Sequence, residues 1–156
     1  MNNISLKERI EQIRILPMTS SKDLESEFYN KTASEMQNSF FKAQLAVDGE
    51  YKIRRASKFS TYKNTLVLFQ FNRQIIAAAF LQDYKEFNET EDAGYIGKYI
   101  FDKENIMVFN PISEVEFNNL TKDEPYRVFR NPTYIIPLSN LEAILSFIRE
   151  RNFLVL

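Results

Sequence analysis

Hydrophobic positions along the chain change period twice, and the changes divide it into helical and extended parts. Ile10, Ile13 and Leu16 recur at helical spacing behind Ser5 and Glu8, a serine–glutamate pair that satisfies free amides at a helix N-terminus, and Pro17 ends the run. The same pair recurs as Ser113/Glu116 and as Ser139/Glu142. The last precedes Leu141, Ile144, Leu145 and Ile148 on one face, with Arg149 and Arg151 near the helix C-terminus, where positive charge suits the dipole. Residues 19–45 are polar with scattered Phe28, Tyr29, Met36, Phe40 and Phe41, and read as one or two helices. Between these lie extended segments: 65–71 (TLVLFQF), a two-residue turn Asn72-Arg73, and a longer strand over 74–87. A solvated acidic loop at 88–92 follows, then strands at 95–101, at 106–109 ending at Pro111, and at 134–136.

This alternation predicts an α+β domain built on a small curved, mainly antiparallel β-barrel, with helices at the N-terminus, between strands and at the C-terminus. It places one domain over residues 1–156: a mainly helical part (1–45), a barrel region with an inserted helix (46–138) and a C-terminal helix (139–152). The apolar residues 153–156 fit a final strand or a chain end equally. At 156 residues and 44% hydrophobic, the chain has material for one ordinary core.

Charge adds little at whole-chain scale, where 20 basic residues oppose 21 acidic ones. Composition excludes more. With no His and no Cys, neither a Ser-His-Asp nor a Cys-His site, a His- or Cys-based zinc site, nor a disulfide is available. No N-terminal signal pattern is present, and the most apolar stretch, residues 75–81, falls far short of the roughly 20 residues that span a bilayer. The expectation is a cytoplasmic protein without a cofactor.

Local charge is more informative. Residues 42–63 hold six basic side chains (Lys42, Lys52, Arg54, Arg55, Lys58, Lys63) against Asp48 and Glu50, with Tyr51, Phe59 and Tyr62 interleaved. Cations neutralise phosphates and flat rings stack on bases, so the segment suits a nucleic acid; a solvated loop with half-buried rings accounts for the same residues. Glu50-Tyr51-Lys52 matches half of a metal-dependent nuclease core, but no partner aspartate is evident, since Asp23 has helical context and Asp48 lies too close. Asp83 and Glu86, three apart on a strand, do not form a carboxylate pair. A non-catalytic protein is expected.

The order of elements from 51 to 120 carries a resemblance. A basic, serine-containing segment leads into the apolar strand 66–71, then Ile75-Ile76-Ala77-Ala78-Ala79, and later a strand with Phe109-Asn110-Pro111-Ile112 before a capped helix. This resembles the PUA-like superfamily, particularly its EVE and YTH branch, as found in modification-dependent restriction proteins. The chain departs from that pattern in having no Trp for a base cage and Lys63-Asn64 in place of Gly-Asp. The resemblance implies a DNA-binding reader of a modified or flipped base that targets a nuclease or defence system. It implies backbone contacts from Lys52, Arg54, Arg55, Lys58 and Lys63, and a base pocket of Ser57, Phe59, Ser60, Tyr62, Phe71 and Asn72. An extruded base needs both stacking and a satisfied polar edge, which these residue types supply. Period two gives Phe69 and Phe71 a shared face that suits the core equally, and Asn72 suits a turn. The alternative is a protein-binding module such as a phage-encoded or immunity-type inhibitor, its acidic stretches 86–92 and 114–124 facing a basic partner.

Overall fold

The structure, a computed structural model, describes residues 9–18, 31–54, 59, 64–89, 94–121, 135–151 and 154–155. Its strands are β1 (Gln12–Met18), β2 (Glu50–Arg54), β3 (Thr65–Phe71), β4 (Gln74–Glu86), β5 (Tyr95–Phe101), β6 (Met107–Ser113), β7 (Ile135–Ile136) and β8 (Leu154–Val155). They form one sheet in the order β2-β5-β4-β3-β1-β7, with β6 paired to β4 and β8 to β6. Only the β1–β3 pair is parallel among the described ladders. The α+β class and the mainly antiparallel sheet are as the sequence predicts, but among the described strands β2 and β7 form two edges, so the described sheet is open rather than closed into a barrel.

The centre of the sheet, β3 with β1 and the first half of β4, is buried on both faces. Val67, Phe69 and Phe71 of β3 pack with Leu16 and Met18 under a helical segment carrying Met36, Phe40, Phe41 and Leu45. Leu66 and Leu68 point the other way, with Ile13 and Ile15, onto Phe117, Leu141, Ile144 and Ile148. That double burial explains why β3 has no exposed position. It also explains β1. The spacing of Ile10, Ile13 and Leu16 mimics a helix stripe, yet Gln12–Met18 is a strand, so the helix expected there is corrected. Burial on two faces erases the strand's alternation, and pairing with β3 along its whole length decides the matter. Pro17 interrupts nothing, because β7 reaches only Ile13 and Arg14.

The helical segment α1 runs from Ala33–Glu35 through a π-helical Met36–Leu45 to Ala46–Asp48. Thr32 and Glu35 cap it reciprocally, each side chain accepting the other's backbone N–H at 3.1 Å. Gly49 ends it at φ 73°, where an added Cβ would lie 2.8 Å from the Phe101 carbonyl oxygen. Helix α2 (Glu114–Thr121) opens on the expected Ser113/Glu116 box, both bonds at 3.1 Å. Helix α3 (Leu141–Arg149) begins later than Ser139/Glu142 suggests. Ser139 lies in a 3₁₀ turn, Leu138–Asn140, and Asn140 is the N-cap residue.

β5 and β6 follow one another along the same edge of β4, and β6 continues through Pro111 to Ser113 rather than stopping before it. The proline is accommodated because the β4–β6 register jumps from Ile75↔Ile112 to Ala77↔Val108, leaving extra β6 residues outside the ladder. Side chains from both layers fill the gap. The Gln37 amide of α1 donates to the Ile76 and Phe109 carbonyls at 2.8 and 2.7 Å. On the other face Arg151 donates to the Pro111 carbonyl and to Glu116, and its own carbonyl accepts the Asn110 N–H at 2.7 Å.

Candidate nucleic-acid interface

β2 alternates, with Tyr51 and Ile53 in the core and Glu50, Lys52 and Arg54 outside. β5 repeats the pattern, with Tyr99 and Phe101 inside and Lys98 outward, and Tyr84 of β4 packs against the same core beside exposed Lys85. Register does the rest. Lys52 is opposite Lys98, and Lys98 is opposite Lys85, so three lysines from three strands form a row on one face. With strands roughly 4.8 Å apart, the row spans about 10 Å at the backbone. Tyr95 adds a ring, with the Lys52 ammonium 5.8 Å and the Arg54 guanidinium 5.1 Å from its centroid. Beside the row, a groove of about 410 Å³ is lined by Lys85, Glu86, Phe87, Asn88, Glu89 and Lys98.

Glu50 tempers this charge. Its carboxylate accepts from the Lys98 ammonium at 2.5 Å, and that bond first, then the charges of Lys98, Lys85 and Lys52, holds its pKa below the usual carboxylate range. Glu50 is thus committed to a lysine, and among the described residues no three His, Cys, Asp or Glu side chains converge as a metal site. Asp83 and Glu86 are both exposed on β4.

Of the residues singled out from sequence, Lys52 and Arg54 stand on this face. Arg55, Ser57, Lys58, Ser60, Tyr62 and Lys63 lie outside the described residues. Asn72 is an exposed turn residue at φ 50°, followed by Arg73 at 62°, the geometry a two-residue hairpin demands. Phe71 is fully buried, and Phe59 is 2% exposed, so neither ring offers a free face to a base in this conformation. Lys85, Lys98 and Tyr95 were not singled out by the sequence reading. Their one sequence signal is a tyrosine beside each lysine of the row: Tyr51-Lys52, Tyr84-Lys85 and Lys98-Tyr99.

Phe59 is itself held in the interior. Its ring stacks on Tyr99 with centroids 5.2 Å apart and planes 23° from parallel. Its N–H donates to the Tyr99 hydroxyl at 2.6 Å, and the Arg14 guanidinium lies 4.6 Å from its centroid. Arg14, on β1, is only 1% exposed, and burial lowers its pKa from the usual arginine value. Tyr84 meets Tyr99 edge-on, and its hydroxyl fills the space over Gly97, where a Cβ would lie 2.5 Å away. Burial pushes the Tyr99 phenol up to about 12. The unfolded chain releases that proton near its ordinary value of about 10. Stability from this group is therefore complete below that pH and lost as pH rises toward 12, by on the order of 2–3 kcal/mol. Urea unfolding at pH 9 and 11.5, compared between the wild type and Y99F, should show the extra alkaline loss only in the wild type.

No helix among the described residues is long and apolar enough to cross a membrane. No family model and no curated protein matches the chain. Among solved structures, the chain is similar to the YTH domain of the Zygosaccharomyces rouxii MRB1 protein, determined in complex with N6-methyladenosine RNA. The alignment covers 88% of each chain at a TM-score of 0.48 and 13% identity.

Proposed function

We propose that this protein is a non-catalytic nucleic-acid-binding module, with DNA as its partner, that reads a modified or flipped base and directs a nuclease or defence system to it. The row Lys52–Lys98–Lys85, joined by Arg54 and Tyr95, carries the binding part of this reading. Cations from three strands on one firmly backed surface give phosphates fixed positions, and a ring flanked by two cations offers a stacking platform. The choice of DNA, the base-reading part and the nuclease or defence role follow the sequence resemblance. Within it, Ser57, Ser60 and Tyr62 are the residues the resemblance assigns to the base's polar edge and stacking face.

Fluorescence anisotropy at low salt tests the reading, using unmodified, methylated and hydroxymethylated duplexes and the corresponding single strands. The expected result is salt-sensitive binding, tight at low salt and weakening to a Kd on the order of 10⁻⁴–10⁻⁶ M at physiological salt for unmodified probes, with tighter binding to one modified form. Absence of binding to every probe would leave the protein-binding alternative.

A further inference from the structure

We infer that Lys52, Lys85 and Lys98 form a slot for a nucleic-acid phosphate and that Glu50 is its built-in occupant, a carboxylate that the phosphate displaces from Lys98. The inference rests on the proposed nucleic-acid reading and adds an element that tunes its affinity.

Geometry carries it. Lys98 sits at the middle of the row, with Lys52 and Lys85 as its cross-strand neighbours on either side. An anion over Lys98 therefore feels all three cations. Glu50 is two residues before Lys52 on the same strand face, and its Oε1 reaches the Lys98 ammonium at 2.5 Å. A carboxylate presents the charge and the paired oxygens of a phosphodiester, so it can mimic one at this point. The contact is not sealed: the side chains of Lys98 and Glu50 are 25% and 40% exposed. An ion pair this open to water is weak enough for a polyanion to replace. The Glu50 carboxylate would then swing into solvent while Lys98 turns to the phosphate, with no change in the β2–β5 ladder. The bland account is a cross-strand ion pair that neutralises an edge strand. The two accounts differ in what removal of the carboxylate does to binding.

The experiment measures binding of the full chain to a fluorescein-labelled 12-nucleotide single strand across a salt series, for wild type, E50Q, K98Q and E50Q/K98Q. Thermal melts establish that each variant is folded. The expected result is that E50Q binds about two- to fivefold tighter than wild type, the range set by releasing a lysine from a surface ion pair. Its log–log salt slope should steepen by up to about 0.7, because no displaced carboxylate then takes up a cation to offset one that the single strand releases. In the K98Q background the same Glu50 substitution should bring little gain, because the lysine it frees is gone. If wild type binds and E50Q binds equally or more weakly, Glu50 is not a competitor and the inference falls while the nucleic-acid reading stands. A gain of equal size with and without Lys98 would be a general charge effect and would also overturn it. If neither wild type nor E50Q binds, the reading itself fails and takes this inference with it.

Discussion

Replacing Gln37 by leucine should lower stability by about 2–4 kcal/mol, a large fraction of what holds a domain of this size together. Leucine keeps the volume and the helix propensity of the site, so the loss isolates the two hydrogen bonds the amide donates, to Ile76 at 2.8 Å and to Phe109 at 2.7 Å. Both carbonyls belong to residues with almost no exposed surface, in a stretch where the β4–β6 ladder has skipped. Neither can turn to a neighbouring strand, and each stranded acceptor costs roughly 1–3 kcal/mol. Urea titration checks the value. An unchanged midpoint would mean that water replaces the amide and that the bulge needs no support from α1. Gln37→Glu should be at least as damaging, since an ionised carboxylate would face two carbonyl oxygens.

That interaction also marks the limit of what the chain's pattern reveals. Where structure is local, the pattern is legible. The β3–β4 turn follows from Asn72-Arg73 between two apolar runs, and β5 keeps its predicted bounds because Gly94 and the turn after Phe101 delimit it. The Ser113/Glu116 box is an i to i+3 contact and is found where it was read. Thr32/Glu35 makes the same i to i+3 contact with threonine in place of serine. Where partners are distant in sequence, the pattern misleads. β1 resembles a helix until β3 lies beside it, and Pro111 resembles a strand end until Gln37 and Arg151 close the gap around it. Arg14 carries no outward sign of its interior position, which depends on Phe59 and Tyr99 arriving from two other segments. The binding face divides in the same way. Lys52 and Arg54 stand out because their neighbours in the chain are also basic, whereas Lys98 and Lys85 join them only through strand register.

Register also makes the second large effect specific. The triple variant K52Q/K85Q/K98Q should lose about a hundredfold or more in affinity for single-stranded or duplex probes at low salt, with a salt slope shallower by roughly two to three. Each lysine removed is one phosphate contact and one counterion no longer released, and because the three form a row, they act on neighbouring stretches of the same backbone. The fold should tolerate the change. Lys52 and Lys85 are exposed, and Lys98 gives up only its bond to Glu50. A control variant, K31Q/K42Q/K103Q, removes the same charge from outside the row and, compared at 0.1 M salt, should keep most of the affinity, since long-range attraction is then screened within about 10 Å. Equal losses from the two triple variants would show that net charge, not the row, draws the nucleic acid. If affinity and slope are unchanged in K52Q/K85Q/K98Q, the polyanion lies on another surface and the β2–β5–β4 face is not the interface.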